Sequence, residues 1–368
     1  MKIAIVHDWL DKYAGSERVL EQIIELFPEA DLFSLVDFLE DRKFIKNKKV
    51  KISFIQKIPL AKKYFRYYLP LFPLAIESFD LSKYDLIISS SHCLAKSVKK
   101  YRNQIHVSYV HTPVRYAWDL REEYLREAGL NCGLKKILAN IVLDYIKEFD
   151  FRTADRVDYY IANSQFIREK IKRIYGKDAY VIYPPVDINR FSLNEKKEDF
   201  YLVVSRLEPY KKVYLIVEAF NKMIDKKLVI IGDGSEMKRI KKLAKKNIEI
   251  LGYQPESVVK EYMEKAKSFI YAAEEDFGIA MVEAQAAGTP VIAYRKGGAS
   301  EIILEEKTGL FFDSQTPDAI IETVKKLDKI YDKIVFKEIR KNSLRFSIER
   351  FKKEFKEFIN KILGNKKI

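Results

Sequence analysis

The sequence predicts an α/β protein built from two doubly wound domains with parallel sheets. Three observations carry that expectation. Short β-rich apolar runs alternate with amphipathic stretches along the whole chain. Most of these runs are continuously apolar rather than alternating, as expected for strands covered on both faces. The 368 residues exceed one ordinary core, and a hydrophobic share of 48% can fill two.

In the first half the predicted strands are KIAIVH (2–7), LIISSS (86–91), HVSYVH (106–111) and YYIANS (159–164). In the second half they are YLVVSR (201–206), LVIIGDG (228–234), IEILGY (248–253), SFIYAA (268–273) and PVIAYR (290–295). Helical patterns lie between them, for example 213–224 and 235–246. The segment IYPPVDINRFSLNEKKEDF (182–200) carries paired prolines, then a charged stretch, then a fresh strand. It divides a domain over 1–185 from one over 198–346. Residues 347–368 hold a long amphipathic helix, 347–363, expected to return to the first domain. Two such domains facing each other make a cleft, and ligands of open parallel sheets bind beyond the carboxyl ends of the strands. The residues to weigh are therefore those just after each strand.

Composition narrows the function class. Cys93 and Cys132 make no disulfide framework and lack zinc-ligand spacing. A reducing cytosol is the expected compartment. The amino terminus, MKIAIVHDWL, has too short an apolar run for a signal-peptide core. No run reaches the roughly 18 apolar residues of a membrane span. The expectation is a soluble protein, or one that meets the inner face of a membrane only at its surface. Lys and Arg number 67 against 53 Asp and Glu, a net charge of +14 that favours phosphates, nucleic acid or anionic lipid. A solvated Lys-rich surface explains most of these lysines equally well.

The strand ends carry the candidate chemistry. After the strand at 268–273 comes EEDFGIAMVEAQAAGTPVI (274–292). Phe277-Gly278 reads as the turn into a helix over 279–287, ended by Gly288 with Pro290 beyond. Amides near Gly278 and Ile279 then form a helix N-terminus, which attracts anions. Glu275 precedes the helix and Glu283 falls in its second turn. Carboxylates accept paired hydrogen bonds from vicinal hydroxyls, so the two acids suit a sugar and a ribose. Spacing alone fits equally a Glu275 that complements the helix dipole and a solvated Glu283. After the strand at 201–206 comes RLEPYKK, in which Arg206 and Lys211 can clamp a diphosphate or be plain surface charge. Gly232-Asp233-Gly234 is a tight turn into a helix, but Met237 breaks the G-x-G-x-x-G fingerprint. In the first half, Gly15 can let backbone approach a phosphate or serve an ordinary turn. His111, at a strand end before Pro113, can bond a hydroxyl or phosphate, with His106 as its bland counterpart. No Asp-x-Asp pair, His cluster or G-x-S-x-G elbow indicates a metal site or a nucleophilic triad.

Taken in order, these segments resemble the retaining glycosyltransferases of GT-B fold, the family 4 group. EEDFGIAMVEAQAAGTPVIAYRKGGASEII matches the family's donor-binding region, with Glu275 and Glu283 as its E-x7-E pair. SRLEPYKK matches its Arg-x4-Lys clamp, and GDG, LGY, ANS and YPPVD follow the family's order over nearly the whole chain. The resemblance implies two Rossmann-like domains facing across a cleft. It implies that Arg206 and Lys211 neutralise the donor diphosphate. It places Glu275 on donor-sugar hydroxyls beside the backbone of Phe277, Gly278 and Ile279, and Glu283 on the ribose. Tyr253 falls in the loop near the base, Gly232 beside the nucleotide, His111 at the donor sugar and Gly15 beside the phosphates. Two departures stand out: Ala14-Gly15-Ser16-Glu17 replaces a Gly-Gly pair, and Ser205 replaces the glycine before the clamp arginine. The reaction implied needs no cofactor and no divalent metal, since two cations and helix amides stabilise the leaving nucleotide diphosphate.

HTPVRYAWDL and the stretch from FRYYLPLF to SSSH resemble the subset that builds bacterial surface polysaccharide or lipopolysaccharide, several of them mannosyltransferases. The implied donor is GDP-mannose, with a UDP-sugar as the alternative, and the acceptor a glycan or lipid-linked glycan. KKYFRYY, with Lys62, Lys63 and Arg66 among aromatics, fits an interfacial helix on an anionic membrane, or core aromatics with solvated cations. Two rivals share features: a sugar-nucleotide epimerase, by architecture, and a non-catalytic polyanion binder, by charge. Against nucleic acid as a partner, the lysines are dispersed and no nucleic-acid module appears.

Overall fold

The computed structural model describes residues 1–364. Two compact units form, Met1–Pro185 joined by the chain from Phe351 onward, and Val186–Arg350. The last four residues of the expected 347–368 segment lie outside the described residues.

The first unit holds a seven-stranded sheet of β1 (Ile3–His7), β2 (Asp31–Ser34), β3 (Val50–Ile52), β4 (Leu86–Ser91), β5 (Ile105–Val110), β6 (Tyr159–Ala162) and β7 (Ala179–Val181). All its pairings are parallel, in the order β3-β2-β1-β4-β5-β6-β7. The second unit holds six strands: β8 (Glu198–Val204), β9 (Lys227–Ile231), β10 (Ile248–Gly252), β11 (Ala266–Tyr271), β12 (Val291–Tyr294) and β13 (Gly309–Phe312). Their order is β10-β9-β8-β11-β12-β13, again all parallel. Each unit is thus a Rossmann-like doubly wound sheet. Strand order reverses beside β1 in the first unit and beside β8 in the second, so successive crossovers leave on opposite sides there.

The apolar runs are strands because both faces are covered. Every residue of β4 and of β12 is buried. The second unit's core gathers Val203, Ile230, Ile270 and Ile292 from four strands, with Phe220 and Val324 from helices. In the first unit the helix Ile348–Leu363 places Phe351, Phe355, Phe358 and Ile359 in a cluster with Ile5, Ile88 and Tyr109. That apolar stripe at helical spacing makes the last helix part of the first core.

One polar network centres on a fully buried ion pair in the first unit. Lys96 and Asp150 have almost no exposed surface, and Lys96 Nζ lies 2.9 Å from Asp150 Oδ1. Trp118 Nε1 and Tyr175 Oη donate to Asp150 Oδ2 at 2.8 and 2.7 Å. Removing one partner leaves the ammonium charged and dry. Asp150→Ala should lower unfolding stability by about 3–5 kcal/mol, read from the urea midpoint. A change below about 1 kcal/mol, the level of a surface pair, would contradict this account of the network.

Candidate active site

The reversal beside β8 gathers the second unit's site. β8 and β11 are neighbours, and the loops leaving their carboxyl ends carry Arg206 with Lys211 and Glu275 respectively. Lys211 Nζ donates to Glu275 Oε1 at 2.8 Å and Oε2 at 2.6 Å, and to Tyr271 Oη at 2.8 Å. Tyr271 Oη in turn donates to Glu275 Oε2 at 3.0 Å. Burial first, and then the Glu275 charge, push the Tyr271 hydroxyl well above its usual pKa, so it stays a donor. Arg206 is exposed and bonds Tyr210 Oη. The Tyr210 ring lies within 5.8 Å of the Arg206 guanidinium and 5.1 Å of Lys211 Nζ. One ring therefore spaces the two cations. Lys212 follows in a left-handed conformation, φ 53 and ψ 30, which reverses the chain into the helix Val213–Asn221. A lysine held there carries strain, as is common beside sites.

Glycines set the loops. A methyl on Gly232 would fall 1.8 Å from the Ser205 carbonyl oxygen, and Gly232 has φ +142. A methyl on Gly234 would fall 2.5 Å from the Leu207 carbonyl oxygen, and Leu207 N–H bonds Asp233 O at 2.9 Å. The GDG turn is thus the seat of the loop that bears Arg206 and Lys211, a packing task that sequence alone did not assign to Gly232. Gly297 and Gly298 do the same for the acidic loop. Gly298 N–H donates to Glu275 O at 2.8 Å, and a methyl on Gly298 would sit 2.2 Å from Phe277 O.

The helix of the E-x7-E pair runs Ile279–Ala286, with Gly278 (φ 105) at its start and no side chain capping it. Phe277 is buried and packs edge-on against Phe346, so its side chain is core and its backbone borders the helix start. Glu283 is 6% exposed, which rules out a solvated helix residue. It pairs with Arg190, whose other nitrogen lies 3.0 Å from Glu256. Arg190 comes from the turn Ile188–Arg190, and sequence reading gave it no role. Tyr253 is 79% exposed, just past β10. These residues surround the carboxyl edge of one sheet.

In the first unit, Gly15 is the first, exposed residue of the helix Gly15–Leu26. Glu17 of that helix is buried. It accepts from Ala14 N–H at 3.0 Å and Ser16 Oγ at 3.0 Å, and meets His7 Nε2 at 3.2 Å. Burial alone raises the Glu17 carboxyl, but the bond to His7 and its charge outweigh burial and bring it to about 2. His111 follows β5, is half-buried, and shares Ser90 Oγ at 2.8 Å. Burial, with His92 and His7 adding to it, holds the His111 ring well below its usual pKa. Asp8 is buried and accepts from the amides of His92, Cys93, Leu94 and Ala95, fixing the loop after β4. His106 is core, bonded to Ser89, and burial lowers it to about 4.

The KKYFRYY stretch is not one interfacial helix. It divides into a single turn, Ala61–Tyr64, and a 3-10 piece, Phe65–Leu71, kinked at Tyr68 with Pro70 inside. Phe65 is buried, Arg66 is held by Asp11 and lies over Phe65, and Lys62 and Lys63 remain exposed. Tyr67 in the stretch and Leu60 and Leu74 beside it are exposed, and a longer exposed apolar stripe lies on the helix Gly133–Arg152. There Leu134, Ile137, Leu138, Ile141 and Tyr145 share one side and are all at least 45% exposed.

Gly298 has an ordinary helical φ of −62, so a methyl there acts only through contact. Gly298→Ala should cost about 1–3 kcal/mol by overpacking against Phe277, measured as a shift of the urea midpoint. An unchanged midpoint would show that the acidic loop is not seated on this glycine.

Comparison with known proteins adds the family. A model described as Glycosyltransferase Family 4 matches residues 13–190, and one described as Glycosyl transferases group 1 matches residues 186–341. An uncharacterized glycosyltransferase of Methanocaldococcus jannaschii is 31% identical over 195 residues, 52% of this chain and 54% of that protein. A GDP-mannose-dependent alpha-(1-6)-phosphatidylinositol monomannoside mannosyltransferase of Mycobacterium tuberculosis is 28% identical over 207 residues, 48% of this chain and 54% of that protein. The matches thus span about half the length of these curated relatives. The solved sucrose-phosphate synthase of Thermosynechococcus elongatus superposes with a TM-score of 0.76 over 99% of both chains at 16% identity, a likeness of fold. With consecutive models of the family matched along 13–190 and 186–341, the chain belongs to the group 1, family 4 glycosyltransferases of GT-B fold.

Proposed function

We propose that this chain moves a sugar from a nucleoside-diphosphate donor to a glycan or lipid-linked acceptor, with retention at the anomeric carbon. The donor is GDP-mannose and the product belongs to surface polysaccharide or lipopolysaccharide. The observation that carries the reading is the Lys211–Glu275–Tyr271 constellation beside an uncapped helix start at Gly278. A relative named as GDP-mannose-dependent supports the choice of donor.

The chemistry follows from charge. Leaving of a nucleoside diphosphate builds negative charge on its phosphate oxygens. Arg206 and Lys211, with amides of the helix at Ile279, supply positive charge there in place of a divalent metal. Lys211 has three N–H donors, and the structure engages them with Glu275 and Tyr271. A phosphate oxygen that joins Lys211 displaces one Glu275 contact. The released carboxylate oxygen then accepts from a sugar hydroxyl, so diphosphate and sugar bind through one exchange. Glu283, steadied by Arg190, meets the ribose hydroxyls, which a carboxylate can accept from. Tyr253 offers an exposed ring to the base. No carboxylate nucleophile is assigned; the leaving phosphate itself takes the acceptor's proton during same-face attack.

The acceptor reading extends to a membrane surface. Residues 56–76 carry Lys57, Lys62, Lys63 and Arg66 and no acid. They pack into the same core cluster as the helix with the exposed Leu134–Tyr145 face. Cations beside exposed aliphatic side chains suit an anionic bilayer that presents a lipid-linked acceptor.

Three measurements test these readings. Lys211→Ala and Glu275→Ala should each lower transfer by about 10²–10³ with the fold intact, and a thermal-shift screen of GDP-, UDP-, ADP- and TDP-sugars should favour GDP-mannose. Near-normal transfer in either variant would remove its role, and a larger shift with a UDP-sugar would replace the donor. Sedimentation with anionic vesicles should fall when Leu138 and Ile141 become Glu, and also when Lys62 and Lys63 become Gln. Unchanged sedimentation in both variants would sink the membrane contact.

A further inference from the structure

In the first unit, three strand ends place a continuous hydrogen-bonded chain behind His111. His7 ends β1 and pairs in register with Ser90 of β4, and His111 follows β5, whose strand lies beside β4. Adjacent parallel strands put side chains in register on one face. Ser90 Oγ lies 2.8 Å from His111 Nε2 and 3.1 Å from His7 Nδ1. His7 Nε2 lies 3.2 Å from Glu17 Oε1. Glu17 Oε2 accepts from Ala14 N–H and Ser16 Oγ.

Counting protons along this chain leaves little freedom. Glu17 is ionised, so it only accepts, and His7 Nε2 must carry a hydrogen. Ser90 has one hydrogen between two ring nitrogens, so it donates to one and accepts from the other. With His7 neutral, Nδ1 is bare and takes the Ser90 hydrogen. Ser90 must then accept from His111 Nε2–H, which leaves a neutral His111 with a bare Nδ1. With His7 protonated, Nε2–H still donates to Glu17 but both bonds at Ser90 reverse: Nδ1–H donates to Ser90, Ser90 donates to His111 Nε2, and His111 carries its hydrogen on Nδ1.

We propose that Glu17, His7 and Ser90 are positioning residues that dictate which ring nitrogen of His111 bears its proton. His111 then offers Nδ1 as an acceptor while His7 is neutral and as a donor once His7 is protonated. An accepting Nδ1 suits a sugar hydroxyl, and a donating one suits a phosphate oxygen. The relevance to transfer rests on the proposed placing of His111 at the donor sugar; the proton order itself does not. His92 and Tyr109 also face the His111 ring, at centroid distances of 6.3 and 5.2 Å, and the His92 ring, 3.4 Å from Asp8 Oδ2, faces His7. Burial lowers His92 as it does His111, with the Asp8 charge opposing it at His92.

The chain has four histidines, so nitrogen NMR on the 15N-histidine-labelled protein resolves each ring. In the wild type, at a pH where the His7 signals report a neutral ring, His111 should show a single tautomer with the hydrogen on Nε2. Glu17→Gln is the sharp variant. Its amide oxygen must keep the Ala14 and Ser16 donors, so its NH2 turns to His7 Nε2 and reverses the order. His111 should change to the Nδ1–H tautomer. Ser90→Ala should give a mixture, and Ser90→Thr should restore the single tautomer. If His111 keeps the Nε2–H form in folded Glu17→Gln and in folded Ser90→Ala, the proposal is wrong. If the tautomer changes as expected but the rate of sugar transfer does not, the proton chain stands and the placing of His111 at the sugar falls.

Discussion

The arrangement depends on the point where each sheet reverses its strand order. In the second unit β8 and β11 lie side by side although roughly sixty residues separate them in sequence, because crossovers wind away from that pair in opposite directions. The two loops that leave this junction have no helix between them. They can therefore bring a lysine from one and a glutamate from the other into direct contact. The first unit repeats the device at β1 and β4, where His7 meets Ser90. A right-handed crossover rule about backbone winding thus decides which side chains meet.

Loops at such a junction must still be held, and the structure holds them by backbone proximity. Gly232 and Gly234 press on the loop after β8, and Gly297 and Gly298 press on the loop after β11. At each place a Cβ would fall where a carbonyl oxygen already sits. The ion pair of Lys211 and Glu275 is nearly dry on both sides, at 10% and 13% side-chain exposure. Such a pair repays its desolvation only with good geometry, and the glycine seats provide that geometry. In the proposed donor site the pair would keep a cation and an acid side by side.

The sequence made the strands that bear the site legible because they are central and continuously apolar. β2, β3, β7 and β13 escaped notice, being short and at or near sheet edges, without a long apolar run. Glu275, Lys211 and Glu283 could be named from order along the chain. Their partners Tyr271, Tyr210 and Arg190 could not, since each lies in a segment whose neighbours in space are set by sheet order. The Glu17–His7–Ser90–His111 chain was hidden for the same reason, drawing on positions 17, 7, 90 and 111. The single helix expected at KKYFRYY is where the structure departs from the sequence pattern. A run of cations and aromatics suggested a helix, but Leu60 in a left-handed conformation and Pro70 broke it into short turns. The exposed stripe on Gly133–Arg152 carries its apolar residues at i, i+3, i+4 and i+7, a pattern that periodicity alone reads as a buried face.

We propose that one nucleotide-sugar is held by the exchange of Lys211 from carboxylate to phosphate. A crystal structure of the protein with GDP-mannose tests it most directly. The account predicts a phosphate oxygen within hydrogen-bond distance of Lys211, Arg206 on the same diphosphate, and a sugar hydroxyl on the Glu275 oxygen that Lys211 has released. A nucleotide bound with its diphosphate away from Arg206, and with Lys211 still on both Glu275 oxygens, would contradict it.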